Sequence, residues 1–427
     1  MHELLDQHHS QLPKILGVGP APDGKYRHWD VLRHLEPPSG LTSEQWWLGI
    51  KLARKSMMRA TPVKDTHGRP FTYTTPDVLF EMLHEIDRDA SGQIGIGEQV
   101  NNPNIRHRYI VNSLIEEAIT SSQLEGASTT SQVARDMIRS GRRPLDRSER
   151  MILNNYRAMI HIRSIVKDTL TEDQIFTLHR IVTRGTLDNT KAEGTLRTNE
   201  DEIYISDEIG RKLHQPPEAN ELPGRLKNLL DFANGENASG FVHPVVRAII
   251  LHFWLAYDHP FIDGNGRTAR GLFYWSMLSQ GYWLFDFVSI SHILRKAPSK
   301  YAQSFLCTET DDNDLTYFVL YQLKVIRRAI SELHKYLTRK IQEVKHTEKL
   351  IRESGRFNHR QLALLGHALR HPDATYSIQS HKNSHSVSYQ TARTDLLNLG
   401  ARGYLTQTQI GNAYYFTPGP KLTSKMQ

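Results

Sequence analysis

Cysteine is almost absent from this sequence of 427 residues, which contains only Cys307. One thiol excludes an intramolecular disulfide framework and is typical of a protein from a reducing cytoplasm. The polar stretch from Met1 to Ser10 lacks the basic and then apolar pattern of a signal peptide. We therefore expect a cytoplasmic protein.

Long apolar runs are also missing. Arg247 and His252 interrupt the longest candidate, so no segment reaches the length that spans a membrane, and we expect no membrane contact. The glycine-rich stretch from Ser91 to Gly97 is not followed by Lys-Ser/Thr, which favours a connection over a phosphate-binding P-loop. The 22 histidines have no metal-ligand spacing near cysteines.

The composition is that of an ordinary soluble protein. Hydrophobic residues make up 38% and charged residues 23% of the chain, so a sizeable core is expected and general disorder is not. The length suggests two or three domains rather than one.

The chain is organised around a stretch that reads His-Pro-Phe-Ile-Asp-Gly-Asn-Gly-Arg-Thr-Ala-Arg, from His259 to Arg270. The preceding residues, about 245–257, are apolar nearly all round, which predicts a buried helix. Pro260 disfavours helical geometry at His259, so this helix should end there and leave the imidazole at its C-terminus.

Two glycines, Gly264 and Gly266, follow in the loop and permit a positive φ or a close backbone approach. A second helix should begin at about 265–267. The free N–H groups and the positive dipole end of that helix then lie beside Arg267 and Arg270. Such an arrangement is an anion site suited to di- or triphosphates.

Asp263 and His259 add chemistry to this predicted anion site. A carboxylate is a hard oxygen ligand suited to Mg²⁺ that bridges phosphates. The imidazole is the one nearby side chain whose ordinary pKa suits a general base at neutral pH. Together these residues indicate phosphoryl or nucleotidyl transfer. The alternative is a helix–loop–helix corner whose glycines serve packing and whose charges are solvated.

The stretch resembles the signature of Fic-domain proteins, His-x-Phe-x-Asp/Glu-Gly-Asn-Gly-Arg-x-x-Arg, and matches it at every fixed position. The resemblance implies protein adenylylation, in which a target Ser, Thr or Tyr hydroxyl attacks the α-phosphate of ATP and pyrophosphate leaves. It implies that His259 deprotonates the hydroxyl, that Asp263 holds Mg²⁺ and that Phe261 anchors the loop.

The resemblance also implies which residues bind the phosphates of ATP. They are Gly264, Asn265, Gly266, Arg267, Thr268, Ala269 and Arg270. Arg267 is expected at the β-phosphate and Arg270 at the γ-phosphate. The related Doc toxins phosphorylate and lack residues that match Gly266 and Arg270, so their presence here favours nucleotidyl transfer.

An upstream segment matches a second motif of one class of Fic proteins, Ser/Thr-x-x-x-Glu-Gly/Asn, with Ser121, Glu125 and Gly126. A helical pattern precedes it, and from these residues alone an exposed glutamate near a helix end would be the simpler interpretation. The resemblance implies that Glu125 pairs with Arg270. A guanidinium binds one carboxylate or one phosphate bidentately but not both, so the enzyme would be held inactive by its own side chain.

Ile203, Tyr204 and Ile205 form a short β-like stretch that resembles the Fic flap, a hairpin that docks a target segment by strand addition. A plain hairpin that covers the core is the alternative. Family members often carry paired tyrosines near the nucleoside pocket, where this chain has Tyr301-Ala302.

The fold expected overall is mainly α, a Fic fold with a small hairpin flap followed by a winged helix–turn–helix. Its expected parts are an N-terminal helical extension (1–105), a catalytic domain with the inhibitory helix (106–330), a helical connector (331–356) and the winged helix (357–427).

The C-terminal region differs from the rest in charge. From Ile351 to Gln427 there are nine Lys or Arg and three Asp or Glu, which is +6 of the formal net charge of +7. Three helical patterns precede two strand-like stretches that flank a Gly411-Asn412 turn, the order of a winged helix. Its positive charge suggests DNA as a partner. A winged helix used for dimer or target contacts is the alternative.

Three alternatives to AMP transfer remain open. The same site could remove AMP from a modified protein, with Glu125 orienting water. It could use another nucleotide or a phosphocholine donor. The chain could also be a DNA-binding regulator whose Fic loop senses a nucleotide. The expected partners are therefore a target protein, a homodimer and DNA.

Overall fold

The structure is a computed structural model. It describes residues 11–90, 103–206, 210–236, 240–410 and 413–423. The expected connection at 91–97, the expected turn at 411–412 and the N-terminal stretch 1–10 lie outside these residues.

The chain divides into two compact units. One comprises Met1–Gly92 and Asn112–Ile330, and the other comprises Gln93–Val111 and Ser331–Gln427. The three boundaries between the four parts expected from the sequence remain predictions.

The first unit opens with short helices and a hairpin. In chain order these elements are α1 (Leu12–Leu16), α2 (Trp29–Leu32), α3 (Ser43–Lys55), β1 (Arg59–Lys64), β2 (Pro70–Tyr73) and α4 (Asp77–Ala90). Thr42 caps α3, because its side chain accepts from the N–H of Gln45 at 3.3 Å while the Gln45 side chain accepts from the Thr42 N–H at 3.0 Å. β1 and β2 pair antiparallel.

A helical body follows. Its elements are α5 (Pro103–Leu124), α6 (Ser131–Ser140), α7 (Arg147–Ser164), α8 (Glu172–Thr183), β3 (Ile205–Ser206), β4 (Lys212–His214), α9 (Leu222–Ala233), α10 (Pro244–Asp258), α11 (Asn265–Ser279), α12 (Ile290–Arg295), α13 (Pro298–Thr310) and α14 (Thr316–Glu353). The first unit contains α5 from Asn112 onward and α14 as far as Ile330. The fold is mainly helical, as predicted.

Helices α10 and α11 lie at the centre of the first unit. Nearly every residue of both helices is buried, and α7, α8 and α9 pack around them. The ring of Phe253 on α10 contacts Phe71, Phe305 and Phe318, with ring centroids 5.1–5.3 Å apart. The apolar pattern before the loop therefore places this helix in the core, as the sequence predicts.

The second unit ends in a small α/β arrangement. Its elements are α15 (His359–Arg370), β5 (Tyr376–Ser377), α16 (Ile378–His385), α17 (Tyr389–Ala401), β6 (Leu405–Ile410), β7 (Ala413–Pro418) and α18 (Pro420–Thr423). The three strands form one antiparallel sheet in the order β5-β7-β6. Three helices followed by a two-stranded ribbon is the order of elements expected for a winged helix.

Among the described residues, no helix combines the length and the apolar character that crossing a membrane requires.

Candidate active site

Helix α10 ends in a left-handed turn at His259. The backbone there has φ 46° and ψ 56°, and the N–H of His259 donates to the carbonyl of Leu255 at 3.1 Å. A residue with a Cβ seldom adopts this conformation, so its neighbours have to support it. Arg197 does so, because its Nε donates to the His259 carbonyl and its N–H to the Pro260 carbonyl, both at 2.9 Å.

The imidazole of His259 has the form that a general base needs. Its Nδ1 lies 3.3 Å from the carbonyl of Ala256, and because a carbonyl only accepts, Nδ1 carries the proton. Nε2 is then unprotonated, and no described residue donates a hydrogen bond to it. Burial lowers the pKa of this imidazole, although the Ala256 carbonyl and the charge of Glu125 oppose the shift. His259 is therefore neutral at pH 7.

Asn265 closes the loop. Its Oδ1 accepts from the N–H of Phe261 at 3.0 Å, and its Nδ2 donates to the Phe261 carbonyl at 2.8 Å. Phe261 is fully buried, which agrees with its expected role as an anchor. The Asn265 side chain therefore shapes the loop, and the phosphate-binding role expected of this residue is left to its backbone N–H.

Gly264 immediately precedes α11 and has a φ of 83°. Its carbonyl accepts from Oγ1 of Thr268 at 2.9 Å and from the N–H of Thr268 at 3.0 Å. Thr268 and Ala269 are among the residues that we expected to bind phosphate. Their side chains are fully buried and support the first turn from within. The free N–H groups of that turn are donors of the kind that suit an anion.

Gly264→Ala should destabilise the protein more than Gly281→Ala does. Both glycines have a positive φ, 83° and 85°, but a Cβ at Gly264 would lie 2.7 Å from Cγ2 of Thr183, whereas at Gly281 it would meet nothing within 4 Å. The left-handed backbone costs alanine about 1–2 kcal/mol at either site. Overpacking at Gly264 adds about 1–3 kcal/mol to that cost. Urea unfolding measures the difference, and equal free energies of unfolding would contradict the close packing of the loop.

Arg267 lies beneath the start of α11 and is almost fully buried. Its Nη1 donates to the carbonyl of Val182 at 3.1 Å, and its Nη2 lies 3.5 Å from Oδ1 of Asp263. Nε and Nη2 have no hydrogen-bond partner among the described residues. Burial lowers the pKa of this guanidinium, and the charge of Asp263 opposes the shift. Arg267 thus offers two buried N–H donors that an anion would satisfy.

Asp263 lies at the entrance to the loop, with 35% of its side chain exposed. Its Oδ1 accepts from the N–H of Gly264 at 2.5 Å, and its Oδ2 lies 3.4 Å from Nη2 of Arg147. In the described parts of the chain, no three His, Cys, Asp or Glu side chains are grouped to hold a metal ion. A cation bound by Asp263 would therefore need most of its other ligands from a nucleotide and water.

Arg270 is bound by the C-terminal end of α5. Its Nε donates to Oγ of Ser121 at 2.8 Å, and its Nη2 donates to the Ser121 carbonyl at 3.0 Å and to Oε1 of Glu125 at 2.8 Å. Burial is the largest influence on the pKa of the Arg270 guanidinium and lowers it, but Glu125, Tyr301 and Glu117 together outweigh burial and raise the pKa. The pairing expected from the resemblance is therefore present.

Gly266 gives Glu125 the space that it occupies. A Cβ placed on Gly266 would collide with Oε1 of Glu125 and would lie 2.9 Å from its Cδ. Gly126 follows with a φ of 88° and ends the turn after α5. The carboxylate thus lies directly against the first turn of α11, at the N-terminal end of that helix.

Two further acidic residues of α5 attach this helix to the first unit. Glu117 is buried, and its Oε2 accepts from Tyr274 at 2.9 Å, from Ser289 at 2.8 Å and from the N–H of Ser291 at 3.1 Å. Glu116 interacts with His292 and with Arg135, and these contacts lower the pKa of its carboxyl to about 2. These contacts fix α5 one to two turns before Ser121.

The flap is a short hairpin. Ile205 and Ser206 of β3 pair with His214 and Lys212 of β4. Of the three flap residues expected, only Ile205 lies in a strand, while Ile203 and Tyr204 lie just before it. Tyr204 is 55% and Ile205 36% exposed, so both are accessible to a partner.

The base of the flap is attached to the centre of the unit through His214. This residue is buried, and its ring nitrogens lie 2.8 Å from the carbonyl of Tyr257 and 2.8 Å from Oε2 of Glu309. Tyr257 lies two residues before His259, so the end of β4 is held close to the C-terminus of α10.

Several residues that hold the site together were not predicted from the sequence. Arg197 supports the His259 turn, Arg147 contacts Asp263, and His179 donates to the Asp263 carbonyl at 2.8 Å. These residues are separated from their partners by 62 to 116 positions, so no local pattern in the sequence predicts these contacts.

Tyr301 faces the interior of the site. Its hydroxyl lies 2.8 Å from Nε2 of His252, and its ring lies 6.4 Å from that of Tyr321. Burial lowers the pKa of His252 to about 3, so His252 is neutral and shares one hydrogen bond with the hydroxyl. Tyr301 is thereby held beside the buried Arg270, whose charge acts on it.

Comparisons with known proteins show which proteins this chain resembles. The Fic/DOC family profile matches residues 169–277. A protein adenylyltransferase Fic from Nematostella vectensis is 27% identical over 205 residues, which are 47% of this chain and 45% of that protein. A protein adenylyltransferase Fic from Drosophila willistoni is 34% identical over 123 residues, 29% of this chain and 22% of that protein. The matched segment thus spans less than half the length of these relatives.

A solved structure supports the fold. The crystal structure of a Fic family protein from Desulfovibrio desulfuricans G20 superimposes with a TM-score of 0.52 at 20% identity, and covers 81% of this chain and 98% of that one. The family match includes α8, α9, α10, most of α11 and the loop between α10 and α11, but not Ser121 to Gly126. Residues 169–277 therefore match the Fic/DOC family, and the loop from His259 to Arg270 lies inside the matched segment.

Proposed function

We propose that this protein transfers AMP from ATP to a Ser, Thr or Tyr hydroxyl of a target protein and releases pyrophosphate. The observation that carries the proposal is the pair of buried arginines at the start of α11. Arg267 has two N–H donors that no described residue satisfies, and Arg270 is satisfied by a carboxylate that a phosphate would replace. Buried guanidinium groups beside a helix N-terminus bind polyphosphates strongly.

The residues of the loop have distinct roles in this proposal. The N–H groups at the start of α11 bind the α- and β-phosphates. Arg267 also binds the β-phosphate, and Arg270 binds the γ-phosphate. Nε2 of His259 removes the proton of the target hydroxyl as that oxygen attacks the α-phosphate. Positioning and charge neutralisation supply most of the rate enhancement in transfers of this kind.

Mg²⁺ fits the residues present. Magnesium usually binds one or two carboxylates together with substrate phosphates and water, and Asp263 is a partly exposed carboxylate beside the proposed phosphate site. Asp263 would hold the ion, and Arg147 would have to release Oδ2 of Asp263. When bound, the ion would neutralise the charge that develops on the leaving pyrophosphate.

Glu125 makes the proposed enzyme self-inhibited. Its carboxylate occupies the guanidinium of Arg270 and lies against Gly266, where the γ-phosphate would bind. ATP would then have to bind with its triphosphate misplaced. Partial exposure of Glu125, 28% of its side chain, leaves the contact accessible to a signal that releases it.

Transfer of label from α-³²P-ATP and, in parallel, from γ-³²P-ATP to protein in a cell lysate tests the function. Label from the α position alone supports AMP transfer, and label from the γ position would make the protein a kinase. Absence of label from both, in wild type and in Glu125→Gly, would overturn the proposal.

Removal of AMP from a modified protein is a second candidate function of the same site. Its support is that the charge of Glu125 acts on the imidazole of His259 and opposes the lowering of its pKa, so a carboxylate lies near the base. Release of AMP from a labelled target that Glu125→Gly abolishes would favour this direction.

DNA binding by residues 357–427 is a separate candidate. Its support is the charge of this region and the exposure of Ser388, Tyr389 and Gln390 at the start of α17, where Tyr389 is 51% exposed. Fluorescence anisotropy of labelled duplex DNA, with the full chain and with a chain that ends at Arg356, tests it. Equal anisotropy for both would exclude it. A homodimer and a cytoplasmic location also remain predictions.

A further inference from the structure

The imidazole of His179 connects two separate segments of the backbone. It lies on α8 and is fully buried. Its Nε2 lies 2.8 Å from the carbonyl of Asp263, and its Nδ1 accepts from the N–H of Gly194 at 2.9 Å. An amide N–H only donates and a carbonyl only accepts, so the contacts assign one tautomer. His179 is neutral, with its proton on Nε2.

The same ring packs against the loop. It stacks on Phe261 with ring centroids 3.8 Å apart and planes inclined by 8°. It also lies where a Cβ on Gly264 would be 3.4 Å from Cδ2 and Nε2. Burial lowers the pKa of the imidazole to about 4, against the opposing effect of the Asp263 carbonyl. The ring therefore keeps its neutral form at physiological pH.

Gly194 begins the flap stem, which we define as residues 194–202, the segment that leads into β3. Three residues further on, Arg197 binds the carbonyls of His259 and Pro260. The flap stem is thus joined to both ends of the loop, at Asp263 through His179 and at His259 through Arg197. Along the chain, β3, β4, α9 and α10 separate these two segments.

We propose that His179 is a positioning residue that couples the flap stem to the phosphate-binding loop. It sets the backbone of Asp263, and with it the start of α11, relative to the segment that carries the target-docking flap. It touches neither nucleotide nor target. The catalytic part of this inference rests on the proposed AMP transfer, while the coupling itself is a property of the fold.

Two substitutions separate the two hydrogen bonds, and we place them in the Glu125→Gly background. The amide nitrogen of glutamine reaches the position of the histidine Nε2, so His179→Gln keeps a donor to Asp263. The amide oxygen of asparagine reaches the position of Nδ1, so His179→Asn keeps an acceptor for Gly194. His179→Phe keeps the ring and loses both bonds. His161→Phe is the control, because this part-buried ring has an Nε2 without a partner in the described chain.

Calorimetric titration with Mg-ATP should show a loss of affinity of about tenfold for His179→Asn and His179→Phe, the effect of one lost buried hydrogen bond. His179→Gln and His161→Phe should bind as the parent does. Hydrogen exchange at the Gly194 amide should follow the second hydrogen bond. We expect slow exchange in the parent and in His179→Asn, and fast exchange in His179→Gln and His179→Phe. Thermal unfolding confirms that each variant is folded.

The ¹⁵N shifts of the His179 ring give a readout that is independent of nucleotide. They should report a proton on Nε2 and none on Nδ1 at neutral pH. A proton on Nδ1, or equal Mg-ATP affinity and Gly194 exchange in all variants, would overturn the proposal. If the parent binds no Mg-ATP, the proposed function fails, and the tautomer and the Gly194 exchange still decide the role of His179.

Discussion

Replacing Glu125 with glycine should raise AMP transfer from ATP by at least about tenfold, which corresponds to about 1.4 kcal/mol at the barrier. The reason is competition for one guanidinium. Nη2 of Arg270 is shared between the Ser121 carbonyl and Glu125 in the resting protein. Without the carboxylate, that edge of Arg270 and the space above Gly266 are free for the γ-phosphate. Initial rates from α-³²P-ATP at fixed protein concentration measure the change.

Two control variants distinguish loss of the charge from loss of the side chain. Glu125→Gln keeps the size of the residue and one acceptor for Arg270 but removes the negative charge, so its rate should lie between those of wild type and Glu125→Gly. Ser121→Ala removes one acceptor of Arg270 but leaves Glu125 in place, so it should activate much less. Equal rates for wild type and Glu125→Gly would contradict autoinhibition through this pair.

His259→Ala in the Glu125→Gly background should reduce transfer by about 10²–10⁴-fold, the usual contribution of a general base. Nε2 is the unprotonated nitrogen of this ring, and alanine leaves nothing to accept the proton of the target hydroxyl. Mg-ATP affinity should change little, because the proposed phosphate contacts come from α11 and its arginines. Single-turnover rates and calorimetric titration on the same preparations separate the two effects.

The pH dependence gives an independent check on His259. Its pKa is lowered by burial, so the neutral base should persist below the ordinary pKa of about 6.5, and the rate should fall only at more acid pH. Exposed His359 at the start of α15 provides a matched control, and His359→Ala should leave both rate and pH profile unchanged. A full rate in the His259→Ala variant would rule out this imidazole as the base.

The contacts of α5 explain how one side chain can control the site. Glu117 and Glu116 hold this helix to the first unit, whereas Glu125 lies past its C-terminal end, in a turn with exposed residues. Release of Glu125 would therefore need a rearrangement of only the last turn. The anchoring contacts and the inhibitory contact are separate, so the helix can stay in place while its end moves.

Local sequence signals predict the elements that carry the loop. The apolar pattern of α10 is long, and Pro260 and Gly264 mark its end and the start of α11. Short elements are predicted less well. The strand expected at 203–205 is observed as Ile205–Ser206, because a two-residue strand has almost no pattern of its own and its pairing with β4 sets its limits.

By itself, the sequence determined the helix–loop–helix and the chemistry it offers, because proline, glycine and apolar periodicity act over a few residues. Only the tertiary structure decided which side chains hold that loop. Arg270 meets Glu125 across 145 positions and Asp263 meets His179 across 84, and Asn265 turns its amide to Phe261. Hydrogen bonds over such separations form only when helices pack, since each requires buried donors and acceptors to be brought within about 3 Å of one another.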